Sequence, residues 1–381
     1  MTVRVEPEPE LLEWACTRAG LDPDAAAERF PDLPAWLAGT THPTLKQLEA
    51  FANATHTPLG YLFLPHPPVE SIPIPDLRTV GNAHLDHPSV DLLDTLYQCQ
   101  QRQDWYRNHA RALGSNPLPF VGSATLGADI ESTAATIRDA LGFDLEERRR
   151  LKTWTDALRR FIEQADALGV LVMLNGIVGT NTHRPLDPDE FRGFALADAY
   201  APLVFINGAD TKAAQMFTLA HELAHVWLGK SALSDASPAA RPSDVVEVWC
   251  NKVAAELLAP LDIVKSDYRR DDDLPTNLGR LATRFKVSTL VVLRRLHDAG
   301  FLSRPALRDA YDDELERIRS IDRGSGGNFY TTHTVRVGKR FARSLIVSTL
   351  EGRTLYKEAF RLLGFAKVET FNKLAAHLEI A

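Results

Sequence analysis

The sequence predicts an α+β protein that is mostly α-helical, with a small β-sheet packed on one central helix and helical modules on either side. Apolar residues recur at helical spacing along most of the chain. Three short apolar runs, typical of strands, lie between residues 169 and 207. The pattern "MFTLAHELAHVWLG" (216–229) follows them and is apolar at most positions. Three strands followed by such a helix indicate a sheet against which this helix packs.

The composition is that of an ordinary globular protein, with 24% charged and 45% hydrophobic residues. No apolar run reaches the roughly 18 residues that a membrane span needs. The start "MTVRVEPEPE" lacks the apolar segment of an export signal. Cys16, Cys99 and Cys250 are odd in number and far apart. We therefore expect a cytoplasmic protein without disulfides and without a membrane partner.

The first predicted module, residues 1–67, consists of short helices. Leu11 and Leu12 begin the first apolar stripe, and "LDPDAAAERF" begins with a cap followed by a proline at the first helical position. "HPTLKQLEAFANA" begins at Thr44 and repeats apolar residues at helical spacing. Five prolines in residues 65–75 then exclude a helix and predict an extended linker.

Three further segments follow. Residues 68–119 are predicted to hold the Pro-rich linker and one long polar helix over 88–113. Residues 120–300 are predicted to form the main domain. Its expected elements are two helices within 127–167, strands at 169–174, 191–197 and 202–207, the helix at 216–229, a helix over 244–259 stopped by Pro260, and two short helices within 275–300. Residues 301–381 are predicted to form a helical, basic C-terminal module, in which "RGSGGN" (323–328) is a flexible break and three helices after it close the chain.

The net charge of −7 is unevenly distributed. Residues 1–60 hold nine Asp and Glu against four Lys and Arg. Residues 324–381 hold nine Lys and Arg against four Glu. On charge alone the C-terminal module is therefore the better candidate for an acidic partner, although solvated helix faces explain the same pattern.

The central helix carries His221, Glu222 and His225 in an H-E-x-x-H pattern. Residues four apart share one face of a helix, so both histidines can bind the same ion. Glu222 is rotated by about 100° from His221, which places it beside the ion rather than on it. A carboxylate there can take a proton from a metal-bound water and pass it to a leaving amine.

A catalytic zinc site needs a third protein ligand and an open position. The next helix offers Glu247 and Glu256, which lie nearly opposite each other on the helix and cannot both face the ion. Glu247 falls among the apolar positions of that helix and Glu256 falls outside them, so we predict Glu247 as the ligand. Cys250, one turn further on, is a competing soft ligand or a buried inert thiol.

At these residues the chain resembles the ImmA/IrrE family of bacterial metallopeptidases. The resemblance rests on "GFALADAYAPLVFINGADTKAAQMFTLAHELAHVWLG" and "EVWCNKVAAELLAP" and covers roughly residues 120–300. Glu247, Asn251 and Pro260 match the family's downstream helix, whereas Cys250 and Val253 depart from it. The resemblance implies a zincin-like domain of the gluzincin type.

The stretch "WLAGTTHPTLKQLEAFANATHTPLGYLFLPHPPVESIPIPDLRT" is similar to the Xre-type helix-turn-helix module that many longer family members carry. The residues that hold this pattern are Trp36, Gly39, Pro43, Leu48, Pro58 and Leu64. However, the segment expected to enter the DNA groove, "FPDLPAWLAG", has no Arg, Lys, Gln or Asn for reading bases. We therefore expect residues 1–64 not to bind DNA themselves and to serve in protein docking or repressor recognition.

The resemblance implies an endopeptidase that cleaves a partner regulator. Zn²⁺, or Mn²⁺ or another divalent metal, would be held by His221, His225 and Glu247, with Glu222 as the general base. The substrate would be a protein, a repressor of the Xre type or a toxin encoded nearby, in stress, phage or mobile-element control.

Two substrate-contacting residues are further candidates. Asn207 ends the strand "PLVFIN" (202–207), which could pair with an extended substrate segment. Tyr200 is a candidate oxyanion donor, or else a packed loop residue. The alternative function is an antitoxin or transcriptional regulator in which the metal is structural; a DNA-binding repressor agrees least with the acidic first module.

Overall fold

The computed structural model describes residues 4–76, 88–234, 244–319 and 329–380. The chain divides into two compact units, Met1–Pro73 with His84–Asp94, and Ile74–Ala83 with Thr95–Ala381. The described residues are mostly helical and contain one four-stranded sheet. The predicted α+β class is therefore confirmed.

The first unit is built from short helices around its own core. They are α1 (Pro9–Arg18), α2 (Pro23–Arg29), α3 (Leu33–Leu37), α4 (Leu45–Ala54) and a 3₁₀ turn (Leu59–Phe63). Thr44 caps α4 in a reciprocal capping box with Gln47, as its sequence suggests. Leu11, Trp36 and Phe51 are buried in the common core. The short helices predicted for this region are thus observed.

The second unit holds the sheet and most of the helices. Its elements before the central helix are α5 (Val90–Ala112, of which residues from Thr95 on belong here), α6 (Ile130–Leu141), α7 (Leu145–Arg150), α8 (Trp154–Leu168), β1 (Leu171–Asn175), β2 (Gly193–Leu196) and β3 (Leu203–Asn207). Then come α9 (Lys212–Leu228), β4 (Ala232–Ser234), α10 (Val245–Leu258), α11 (Leu261–Asp267), α12 (Leu274–Phe285), α13 (Thr289–Asp298), α14 (Arg304–Arg319), α15 (Phe329–Val337), α16 (Lys339–Leu350), α17 (Tyr356–Leu363) and α18 (Val368–His377).

The sheet has the strand order β1-β3-β2-β4. β3 is parallel to β1 and antiparallel to β2, and β2 is antiparallel to β4. Because β3 is paired along both edges, it cannot take up a substrate strand, and that prediction for residues 202–207 is wrong. In the outer strand β4, Ser234 pairs with Gly193 of β2. On the other edge of β4, the Leu233 amide donates to the Pro75 carbonyl (2.9 Å).

The central helix α9 packs on one face of the sheet, against β2 and β3. Every residue of α9 from Gln215 to Leu228 is buried, which fits its apolar sequence. Helix α5 covers the other face, where the Gln103 amide donates to the carbonyls of Leu196 and Ala201 (both 2.8 Å). Layers on both faces fix β2 and β3 at the centre of the unit, directly below α9.

Two predictions of helix number are wrong. Residues 127–167 hold three helices instead of two, because Asp144 caps the extra helix α7 and the buried Arg148 donates to the Phe285 carbonyl (2.9 Å). The closing segment holds four helices, α15 to α18, instead of three. Gly338 separates α15 from α16 with a left-handed φ of 83°. Among the described residues, no helix has the length and apolar character needed to cross a membrane.

Candidate metal centre

Both ends of α9 are fixed by specific contacts. The Thr211 side chain caps the first turn, and Gly229 ends the helix at a left-handed φ of 66°. The last carbonyls, of Val226 and Trp227, accept hydrogen bonds from the amides of Gly122 (3.1 Å) and Ala124 (2.9 Å). The ends are thus held, and the side chains between them keep a defined orientation.

Phe120 and Gly122 hold the C-terminal end of α9 by packing as well. The Phe120 ring stacks on Trp227 with ring centroids 4.6 Å apart. A Cβ atom at Gly229 would lie 2.9 Å from the Cα atom of Gly122, so the two glycines allow a close approach of two backbones.

Helix α10 brings the third carboxylate to α9. Asp244 caps α10 through the amides of Val246 and Glu247, which places Glu247 in the first turn. Its side chain is buried against the histidines of α9. His225 Nε2 lies 2.9 Å from Glu247 Oε1 and 3.1 Å from His221 Nε2, and His221 Nε2 lies 3.2 Å from Glu247 Oε2.

These separations fit a metal ion. Ligands at the usual 2.0–2.2 Å from a tetrahedral zinc are about 3.3 Å from one another. His221, His225 and Glu247 offer ligand atoms that all lie within 4.8 Å of one another. All three side chains are buried, so a cation would compensate the carboxylate and use both imidazole lone pairs. The residues therefore fit a divalent ion with two nitrogen ligands and one oxygen ligand.

Asn251 orients one of the ligands. It lies one turn beyond Glu247 on α10, and its Oδ1 is 3.1 Å from His221 Nδ1. An amide oxygen only accepts, so Nδ1 carries the proton and Nε2 presents its lone pair to the cluster. The sequence match included Asn251 but gave it no role; the four-residue spacing from Glu247 was the signal for one.

Glu247 is suited to remain ionised. Burial alone would raise its pKa, but His221 and His225 together lower the pKa of Glu247 to about 2. Burial lowers the pKa of His225, which favours its neutral, ligating form. The cluster therefore combines one anionic oxygen ligand with imidazole nitrogen.

Glu222 differs from Glu247 in its surroundings. It is fully buried, and neither of its oxygens makes a hydrogen bond of normal geometry to a described residue. Burial raises the pKa of Glu222 to about 8, although His221 and the Ser234 hydroxyl lower it in part. A buried carboxyl with a pKa near neutrality and free oxygens can both take up and release a proton.

Gly193 of β2 makes room for Glu222. A Cβ atom at this position would lie 2.5 Å from Thr218 Cγ2, 2.8 Å from the Phe205 carbonyl oxygen and 3.2 Å from Glu222 Oε1. Only glycine therefore lets α9 approach the sheet this closely.

We expect Gly193→Ala to destabilise the fold by about 1–3 kcal/mol, because the added methyl group overpacks the contact between β2 and α9. Denaturant unfolding with metal analysis measures this. Gly279→Ala is the matched control: Gly279 lies within α12 with no atom within 4 Å of the added Cβ. It should stabilise the protein by about 0.5–1 kcal/mol. Equal midpoints for both variants would contradict the tight contact.

The two competing residues, Glu256 and Cys250, are not part of the cluster. Glu256 is buried in an ion pair with Arg295, and its carboxylate accepts from the Leu261 amide (3.3 Å). Cys250 is buried, and its pKa is raised well above the usual value by burial and by nearby carboxylates. Neither belongs to the group of side chains that could hold an ion among the described residues.

The two predicted substrate contacts are not brought to the cluster. The Asn207 side chain donates to the Phe191 carbonyl (3.1 Å) and accepts from the Ala209 amide (3.0 Å), so it stabilises the turn after β3. Tyr200 lies in the loop after Leu196, at the end of β2 opposite Gly193, beneath the Arg111 guanidinium (4.8 Å). A strand rises about 3.3 Å per residue, so Tyr200 is roughly 10 Å or more from Gly193 along β2.

Sequence reasoning missed Ser234. It is the last residue of the three-residue strand β4 and is fully buried. Its Oγ lies 3.2 Å from His225 Nε2 and 3.4 Å from Glu247 Oε1. A strand this short gives no periodic signal, and one serine in "KSALSDAS" is indistinguishable from its neighbours.

Comparison with known proteins finds similarity in the region that contains this cluster. Residues 165–297 match the profile of the IrrE N-terminal-like domain, and residues 337–377 match a domain of unknown function (DUF8813). Over 99 residues the chain is 34% identical to the radiation response metalloprotease IrrE of Deinococcus radiodurans, a match that covers 25% of this chain. The chain spans about 30% of the length of that relative.

Proposed function

We propose that this protein, whose residues 165–297 belong to the ImmA/IrrE family, is a metallo-endopeptidase that cleaves a partner regulatory protein. One observation carries the proposal. His221, His225 and Glu247 converge from two helices, and the unbonded carboxylate of Glu222 lies beside them. A purely structural site has no need of a buried carboxylate without partners, which costs free energy.

The ion that fits is divalent, with zinc as the first choice and Mn²⁺ as another. Two imidazoles and one carboxylate are the ligand set of the thermolysin-type catalytic zinc sites. When bound, the ion would supply Lewis-acid polarisation of the peptide carbonyl and an acidified water as the nucleophile.

Glu222 would hold and move the proton in this reaction. Its pKa of about 8 arises mainly from burial, and a neighbouring cation would bring it down toward neutral pH. Near neutral pH the carboxylate accepts a proton from the attacking water and then delivers it to the leaving amine.

The remaining parts of the site act by position. Asn251 keeps His221 in one tautomer, and the buried apolar wall of α9 excludes water from the cluster. The partner would be a protein, such as a repressor or a toxin encoded nearby, cleaved in the cytoplasm. The three free, buried cysteines agree with a reducing compartment.

The proposal is tested by cleavage of the proteins encoded beside the gene. The purified full chain is incubated with each of them, with and without a chelator, and the products are identified by mass spectrometry. Cleavage that the chelator removes and zinc restores supports the proposal. A chain that binds metal but cleaves none of these proteins, within or outside cells, would overturn it.

We also expect the first unit not to bind duplex DNA tightly. Helix α3 has only five residues, its Leu33 and Trp36 are buried in the core, and Asp32 precedes it. Base readout needs exposed donors, and phosphate contacts need cations. Fluorescence anisotropy of residues 1–64 with duplex DNA should give a Kd no tighter than about 10⁻⁶ M at physiological salt. Salt-sensitive nanomolar binding would refute this expectation.

A further inference from the structure

Ser234 contacts two of the three predicted ligands without a good hydrogen bond to either. Its Oγ lies 3.4 Å from Glu247 Oε1, which is long for a hydroxyl-to-carboxylate bond of roughly 2.5–2.7 Å. The 3.2 Å to His225 Nε2 is also long, and this nitrogen has no proton to give when its lone pair binds an ion. The hydrogen bonds of the hydroxyl to these two side chains are therefore long, and the same hydroxyl also interacts with Glu222.

The position of Ser234 Oγ is explained by the shape of a tetrahedral site. Its distances of 3.2 and 3.4 Å lie at or slightly above the separations of 2.9, 3.1 and 3.2 Å among His221, His225 and Glu247. They also match the spacing of about 3.3 Å between ligands of one zinc ion. The hydroxyl thus lies at the distance expected of a neighbouring ligand from two of the three side chains, His225 and Glu247.

The whole cluster is also closed to solvent. His221, Glu222, His225 and Ser234 are 0% exposed and Glu247 is 1% exposed. Ser234 is held there by the pairing of β4 with Gly193 of β2 on one side and by the Pro75 carbonyl on Leu233 on the other. A substrate carbonyl cannot reach the ion in this arrangement.

We propose that Ser234 Oγ is a fourth, exchangeable ligand that closes the resting metal site and must leave before water and substrate can enter. The inference rests on the proposed function, since it takes His221, His225 and Glu247 as the other ligands. A neutral hydroxyl is a weak ligand compared with a thiolate, so it can be displaced. A structural zinc site has all four positions filled by protein, whereas a catalytic site keeps one position open. Departure of Ser234 would therefore convert a closed site into one with an open position.

The test uses Co²⁺-loaded full-length protein with Ser234→Cys. A cysteine at this position should bind the ion as a thiolate, release its proton to solvent and produce a sulfur-to-cobalt charge-transfer band. Ser231→Cys is the matched control, because Ser231 is three residues away and its Oγ accepts from the Ala197 amide (2.9 Å). Wild type and Ser231→Cys should lack the band, which also excludes Cys250 as a ligand.

A second variant, Ser234→Ala, covers the case in which Ser234→Cys does not fold. In this variant solvent replaces the hydroxyl, so the cobalt d–d spectrum should shift. Its metal affinity should fall by no more than about tenfold. Its cleavage rate should be at least that of wild type. Cobalt-loaded Ser234→Cys without the band would overturn the inference alone. So would Ser234→Ala with an unchanged spectrum, or with metal retained and cleavage reduced more than tenfold. Wild type that binds no Co²⁺ would instead overturn the proposed function and this inference together.

Discussion

Glu222→Gln is expected to lower proteolysis by about 10²–10⁴-fold while the metal content stays at one ion per chain. The amide is nearly isosteric with the carboxyl, but it cannot accept and return the proton. Glu222 is not among the three converging ligands, so metal binding should survive. The measurement is the rate of partner cleavage, beside metal analysis of the same preparation.

His221→Ala is the comparison variant for this result. It should lose both metal and activity, because it removes the His221 imidazole, whose Nε2 lies 3.1 Å from His225 Nε2 and is one of the three predicted ligand atoms. If Glu222→Gln matches wild type in the biological assay and His221→Ala fails, the ion is structural. The function would then be that of a binding protein, such as an antitoxin, and catalysis would be excluded.

The second large effect is expected for Glu247→Gln, which should weaken metal binding by more than about 100-fold. Mutation of a residue that only orients a metal ligand costs up to about 100-fold in affinity, and loss of a ligand should cost more. Among the described residues of the cluster, the variant removes the carboxylate that would be the anionic ligand, whose pKa of about 2 keeps it charged across the working pH range. Competition with a chelator of known affinity measures the loss.

Glu256→Gln is the matched control for Glu247→Gln, since both residues lie on α10 and both are buried. Glu256 belongs to the pair with Arg295, and its amide replacement can still accept from that guanidinium. Metal affinity should therefore stay at the wild-type value. Loss of metal in Glu256→Gln but not in Glu247→Gln would exchange the roles assigned to the two carboxylates.

The parts of the site whose residues are close in sequence could be predicted, and the parts that depend on pairing between strands could not. His221, Glu222 and His225 lie within one helical turn, so the geometry of α9 fixes their relation. The proximity of Glu247 could be inferred because its spacing places a carboxylate on the buried side of α10. The site roles of all four residues remain predictions that the variants above test.

The errors come from long-range contacts. The apolar run of β3 predicts a strand, but its place between β1 and β2 depends on residues far apart in the chain. The same holds for Ser234, which enters the site only because β4 pairs with β2. Gly338 divides α15 from α16 at a left-handed φ of 83°, within a segment whose helical spacing alone does not mark the division.

The contact of Phe120 and Gly122 with the end of α9 shows that the region of sequence similarity and the folded unit begin at different residues. The match to the profile of the IrrE N-terminal-like domain begins at residue 165, yet the carbonyls of Val226 and Trp227 accept hydrogen bonds from the backbone of residues 122–124. A fragment that starts at the similarity boundary would remove the Ala124 amide that pairs with the Trp227 carbonyl and would uncover the buried ring of Trp227. The smallest piece expected to fold cooperatively around His221, His225 and Glu247 therefore begins before Phe120. The region with sequence similarity to known proteins is therefore shorter than the region whose contacts the folded unit needs.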